Sequence, residues 1–236
     1  MIAMAKCVEY GEHEVDGEIS IDLGPISLVI ARESPDLVKV FTRANGQESS
    51  LGSINVPIGK PVEILPHPPA GGRVKVDHIM IKLSEDISIP PGGSVTFIQY
   101  IPIDIAINVG GSFLRLVPVR AKYALYGPPD LGTLCRYSSN IILKDLPDCL
   151  KAQIKIQIAN TGSEVTQVSR VVLPLKGIGL YLSSTNQPIA SSASMKVLNQ
   201  TYAEVTTEST PSAEADRISK RVVEPKTSTY IMRYGL

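Results

Sequence analysis

Residues 151–174 read KAQIKIQIANTGSEVTQVSRVVLP. Ala152, Ile154, Ile156 and Ile158 fall on one face of an extended chain, and Gln153, Lys155 and Gln157 fall on the other. A period of two with one apolar face is the pattern of a half-buried antiparallel strand. Asn160-Thr161-Gly162 reads as a short turn, and a second apolar strand follows it. The stretch predicts a strand–turn–strand pair and an all-β fold. Its polar face offers no catalytic group.

The rest of the chain carries the same grammar. Of 236 residues, 43% are apolar, chiefly Ile, Val and Leu, so a sizeable core is available. Pro and Gly number 18 each, which suggests short strands and many turns. Strands are expected at 4–10, 18–22, 26–33 and 37–43, with turns at Asp16-Gly17, Ser34-Pro35-Asp36 and Asn45-Gly46. Residues 51–72 are Pro-rich, and only edge pieces at 53–58 and 62–65 are expected there. Strands follow from 74 to 107, broken by Pro90-Pro91-Gly92-Gly93; the piece 95–107 reads as one long strand bent at Pro102.

Residues 112–126 read as a strand whose phase switches beside Pro118, with Tyr123 and Leu125 facing in. Another strand is expected at 132–143, a mobile polar loop at 183–194, and strands at 195–198, 201–207 and 227–234. Residues 211–223 are the one helix candidate, with acids early and bases late. No βαβ alternation is present, which argues against a nucleotide-binding parallel sheet. The expectation is an antiparallel β-sandwich-like protein of two units, 1–115 and 116–236, with at most one short helix.

Residues 152–173, above all IQIANTGSE, resemble the strand–Asn-Thr-Gly–strand core of immunoglobulin-like modules of the cell-adhesion-related bacterial type. IPIDIAI and YALYGPPDLGTLCRY resemble uncharacterised archaeal proteins of unknown function. Neither resemblance implies catalytic residues.

Charge narrows the partners. Lys plus Arg and Asp plus Glu number 23 each, which lacks the basic footprint of a nucleic-acid binder. Residues 7–31 hold six acids and no Lys or Arg, a solvated hairpin or a dock for a basic partner or cation. No apolar run reaches a membrane span and no secretory leader pattern is seen, so a soluble, cytoplasmic protein is expected. Cys7, Cys135 and Cys149 give no disulfide framework or zinc spacing, although a Cys135–Cys149 bridge stays open.

The chemistry-bearing residues are scattered. Gly177-Ile178-Gly179 lacks the third glycine of a dinucleotide loop, and the serines of 183–194 lie in no nucleophile elbow. The metal-ligand candidates are His67 and His78; His13 with Glu12 and Glu14 is a weaker set. Asp77 and His78 are adjacent on a strand and point to opposite faces. Cys135 precedes Arg136, a cation that could lower a thiol pKa if the two met. Asp104 interrupts the isoleucine row and needs a cation such as Arg115 or Arg120 if its face is covered. No cofactor is expected. The functional expectation is a non-catalytic binding or scaffold protein acting through a protein partner or self-association. The alternative is an enzyme of unrecognised type using scattered Asp, Glu and His.

Overall fold

The computed structural model describes residues 10–22, 26–70, 74–109, 112–116, 121–144, 146–214 and 217–236. The expected strand at 4–10 lies almost wholly outside them, as do Arg120 and Cys7. The strands are β1 (Gly11–His13), β2 (Glu18–Asp22), β3 (Ser27–Ser34), β4 (Leu37–Ala44), β5 (Gln47–Asn55), β6 (Val62–His67), β7 (His78–Ile89), β8 (Ser94–Pro102), β9 (Asp104–Val109) and β10 (Ser112–Leu116). They continue with β11 (Tyr123–Tyr126), β12 (Thr133–Ser139), β13 (Lys151–Asn160), β14 (Thr166–Pro174), β15 (Leu180–Ser183), β16 (Pro188–Val197), β17 (Ala203–Pro211), β18 (Ile218–Val223) and β19 (Ser228–Met232). One short helix, α1 (Asn140–Lys144), follows β12. The fold is all-β and sandwich-like.

Four sheets form. Sheet A has the order β1-β6-β9-β10, and sheet B is the meander β2-β3-β4-β5. Sheet C has the order β11-β12-β7-β14. Sheet D runs β18-β15-β16-β13-β8, with β17 and β19 added beyond β16. Sheets C and D are mixed: β12 runs parallel to β7, and β13 parallel to β16. Apolar residues of all four sheets join one contiguous core.

The opening stretch gives two strands, but they do not form a hairpin. β13 buries Ala152, Ile154, Ile156 and Ile158 completely, on the face its periodicity assigns. Both of its edges are taken, by β8 and by β16, which leaves no edge for β14. β14 pairs instead with β7 in sheet C and packs across the sandwich against β16, β17 and β19. The connection is therefore an arch from one sheet to the other. Asn160 builds it. Its Oδ1 accepts from Gly162 N at 2.9 Å, which turns the chain out of sheet D. Its Nδ2 donates to Ile89 O and Glu164 O, both at 2.8 Å, which ties the arch to the end of β7.

A second arch lies against the first. Pro90–Gly93 carries the chain from β7 in sheet C to β8 in sheet D. Gly92 N donates to Asn160 O, and Asn160 N to Gly93 O, each at 2.9 Å. Gly92 has φ +71°, which its lack of a Cβ permits. The two arches close one end of the sandwich.

Other expectations change for identifiable reasons. The 95–107 strand divides at Ile103: β8 stays in sheet D and β9 enters sheet A. Ile103 N donates to Leu150 O at 3.0 Å at the break. β6 is internal rather than an edge, but β1 reaches only as far as Ile64, so Pro66 needs no N–H on that side. The polar loop 183–194 is mostly β16, a central strand whose Ser191 and Ser192 are buried. Ser183 Oγ accepts from Gln187 N at 2.9 Å and shapes the tight turn before it. Of the helix expected at 211–223, Pro211 ends β17 and Ile218–Val223 forms β18, which pairs with β15; residues 215–216 lie outside the described residues. The helix that does form takes the end of the strand expected at 132–143. In β11, Tyr126 faces in and Leu125 is exposed; the Tyr126 hydroxyl donates to Gly235 O at 2.9 Å and holds that phase. β1 and β2 flank the acidic bend at Asp16-Gly17 but belong to different sheets.

Pairing crosses the chain midpoint. β7 bonds to β12 and β14, and β8 bonds to β13.

Candidate interaction site

Two of the outer strands of sheet D, β18 and β8, differ in character; a third, β19, ends the branch through β17. At one edge, β18 carries Lys220 and Arg221 and lies against β6. Lys220 Nζ meets Glu63 Oε1 at 2.7 Å, a bond that holds the Glu63 carboxyl below its usual range. Charge and cover are the usual protection of a strand edge.

At the other edge, β8 has neither over most of its length. Ser94–Pro102 reads SVTFIQYIP and contains no Asp, Glu, Lys or Arg. Among the described residues its strand partner is β13 alone. Helix α1 touches it through Gln99 Nε2, which donates to Asn140 Oδ1 at 3.0 Å. Side chains alternate along the strand. Val95, Phe97 and Gln99 are half-buried, while Ser94, Thr96, Ile98 and Tyr100 are exposed. Ile98 is 54% exposed and Tyr100 47%. Ile141, on the adjoining helix, is 83% exposed. The register partner of Ile98 is Lys155, so that charge lies one strand in from the edge.

Beside β8 on the outer face of sheet D is a polar hollow of about 250 Å³. Tyr100, Lys151, Gln153, Gln187 and Arg217 line it. Lys151 Nζ is engaged with Asp148 Oδ1 at 2.7 Å. Ser184 N donates to Arg217 O at 3.1 Å and fixes the rim.

A buried charge cluster sits at the junction of sheets A and C. Asp104 opens β9, fully buried, with its register partner His67 on β6. Arg115 Nε approaches Asp104 Oδ2 at 3.8 Å, so the cation named from sequence is present. Arg136, on β12, acts on Asp104 electrostatically, and it is buried, as is Ser138 two residues on. Both Asp104 oxygens, Arg136 Nε and Nη1, and Ser138 Oγ make no hydrogen bond among the described residues. Burial lifts the Asp104 carboxyl to about 7, against the downward pull of Arg136 and Arg115. Burial likewise lowers the Arg136 guanidinium from its ordinary value, although Asp104 opposes this.

The two candidate histidines lie in different sheets. His67, in sheet A, has Nδ1 2.8 Å from Pro68 O and its ring 5.4 Å from that of Phe113. His78, in sheet C, has its ring 4.3 Å from that of Tyr230, tilted by 52°. Burial holds both imidazoles below the usual histidine range. No group of three or more His, Cys, Asp or Glu among the described residues is arranged to hold a metal. Cys135 and Cys149 are both buried and are not joined to each other, so the bridge left open by the sequence is not made. Burial pushes the Cys135 thiol up to about 12, the opposite of activation by Arg136. Among the described residues, no helix is long and apolar enough to cross a membrane.

Fold and surface together define a mixed-sheet β-sandwich protein in which, among the described residues, β8 pairs on one side only. A family model described as "Protein of unknown function (DUF432)" matches residues 9–233, and the chain belongs to that family. No curated protein and no solved structure matches it.

Proposed function

We propose that this is a non-catalytic binding or scaffold protein that works through contacts with other protein chains, and that β8 is where those contacts are made. The observation that carries this reading is the uncharged strand edge with Ile98 and Tyr100 exposed beside it. An unpaired edge offers a row of N–H and C=O groups to an added strand, and its side chains select the occupant. The likeness of residues 152–173 to adhesion-type immunoglobulin-like modules fits this use, because those residues supply β13, the inner neighbour of β8.

The test uses Thr96→Lys and Ile98→Lys, each of which adds charge at an exposed position of β8. A fluorescent peptide copying residues 94–102 serves as the probe strand. The wild-type protein should raise the peptide's anisotropy, and each variant should weaken that binding at least 10-fold with its circular dichroism unchanged. Equal binding by variants and wild type would move the contact elsewhere.

A further inference from the structure

We infer that the strand that completes β8 belongs to a second copy of this chain, paired antiparallel about a two-fold axis at Ile98. This rests on the reading of β8 as a recruiting edge and adds its occupant and register.

Backbone polarity fixes the register. Asn160 N donates to Gly93 O at one end of the β8–β13 ladder, and Ile103 N donates to Leu150 O just past the other. In an antiparallel pair every second residue exchanges bonds with its opposite number. Odd-numbered residues of β8 therefore turn their N–H and C=O toward β13. Ser94, Thr96, Ile98 and Tyr100 turn theirs outward.

A two-fold axis at Ile98 matches outward residues only with outward residues. Ile98 faces Ile98, Thr96 faces Tyr100, and Ser94 faces Pro102. Pro102 has no N–H, so the ladder runs out at that residue, where the chain leaves sheet D for sheet A. On the exposed face, Ile98 meets its own copy and the Tyr100 ring meets the Thr96 methyl. Aromatic–β-branched pairs of this kind stabilise antiparallel strands.

The charge pattern also favours a second copy. β8 has no charged residue to select a partner of opposite sign, and the chain has a net charge of +0. Two copies therefore meet at this edge without like charges opposed on the paired strands. The contact is isologous and closes on itself, joining two seven-stranded sheets into one.

Cysteine cross-linking reads the register directly. Residues of a hydrogen-bonded pair have Cα atoms about 5.5 Å apart, within disulfide reach. Under mild oxidation Ile98→Cys should cross-link to itself. Thr96→Cys should cross-link to Tyr100→Cys when the two variants are mixed, and not to itself. The wild-type protein should sediment as a dimer, and Ile98→Lys as a monomer with unchanged circular dichroism. A wild-type monomer at high concentration that still binds the 94–102 peptide would overturn the second copy and leave the recruiting edge standing. A monomer that binds no peptide would overturn both. A dimer in which Thr96→Cys alone self-links would overturn the register.

Discussion

Asp104 has little hydrogen-bonding support for a buried carboxyl. Its nearest cation, Arg115, stands at 3.8 Å, and burial raises its pKa from 3.8 to about 7. Between those values the folded state holds a proton that the unfolded state has released. This contribution to stability is greatest below about pH 4, falls as pH rises toward 7 and is level above that. A shift of this size corresponds to at most about 4 kcal/mol. His67 acts in the opposite sense on the acid side, because its lowered pKa costs stability as pH falls through 6.5. The difference between wild type and Asp104→Asn isolates the carboxyl. Urea melts should show Asp104→Asn gaining stability relative to wild type between pH 5 and pH 8; a constant difference would mean that Asp104 does not titrate there. Asn160 is the other decisive residue. Asn160→Ala removes both donors that pin the arch and leaves Ile89 O short of a partner, a loss of about 1–3 kcal/mol in the same melts.

At the scale of elements, faces were legible and partners were not. The alternation in 151–158 assigned Ala152, Ile154, Ile156 and Ile158 to the buried face correctly, because side-chain parity is local; Asn160, read as turn, is the fifth buried residue of β13. The choice between hairpin and arch was hidden, because it depends on β8 and β16 occupying both edges of β13. β16 looked like a loop because its small serines are polar, yet small side chains are what a crowded central strand admits. The sequence offered Arg115 or Arg120 as the cation for Asp104, and Arg115 stands beside it, while Arg136 lies on β12, whose parallel pairing with β7 no local pattern announces. The open edge was invisible for the same reason, although the absence of charge from 94 to 102 was a readable sign of it. Close packing also sets limits on this scale. A Cβ on Gly177 would collide with the Thr207 side chain and approach Lys226 O to 2.7 Å. Gly177→Ala should cost about 1–3 kcal/mol by calorimetry.

For the molecule as a whole, the two units expected from the sequence are best proposed by sheet rather than by chain half. Sheets A and B would form one unit, and sheets C and D the other. The chain passes between them three times, from β6 to β7, from β8 to β9 and from β10 to β11, and Lys220–Glu63 bridges them on the surface. Their apolar residues merge into one core, so calorimetric and van 't Hoff enthalpies of unfolding should agree; a calorimetric value near twice the van 't Hoff value would mean independent units. The central claim concerns the edge that this architecture leaves open. Amide hydrogen exchange at Thr96, Ile98 and Tyr100, followed as protein concentration is raised, tests it most directly. The account predicts fast exchange of these three amides in dilute solution and strong protection at high concentration, with Val95, Phe97 and Gln99 protected throughout by β13. Exchange at Thr96, Ile98 and Tyr100 that stays fast at every concentration would contradict it.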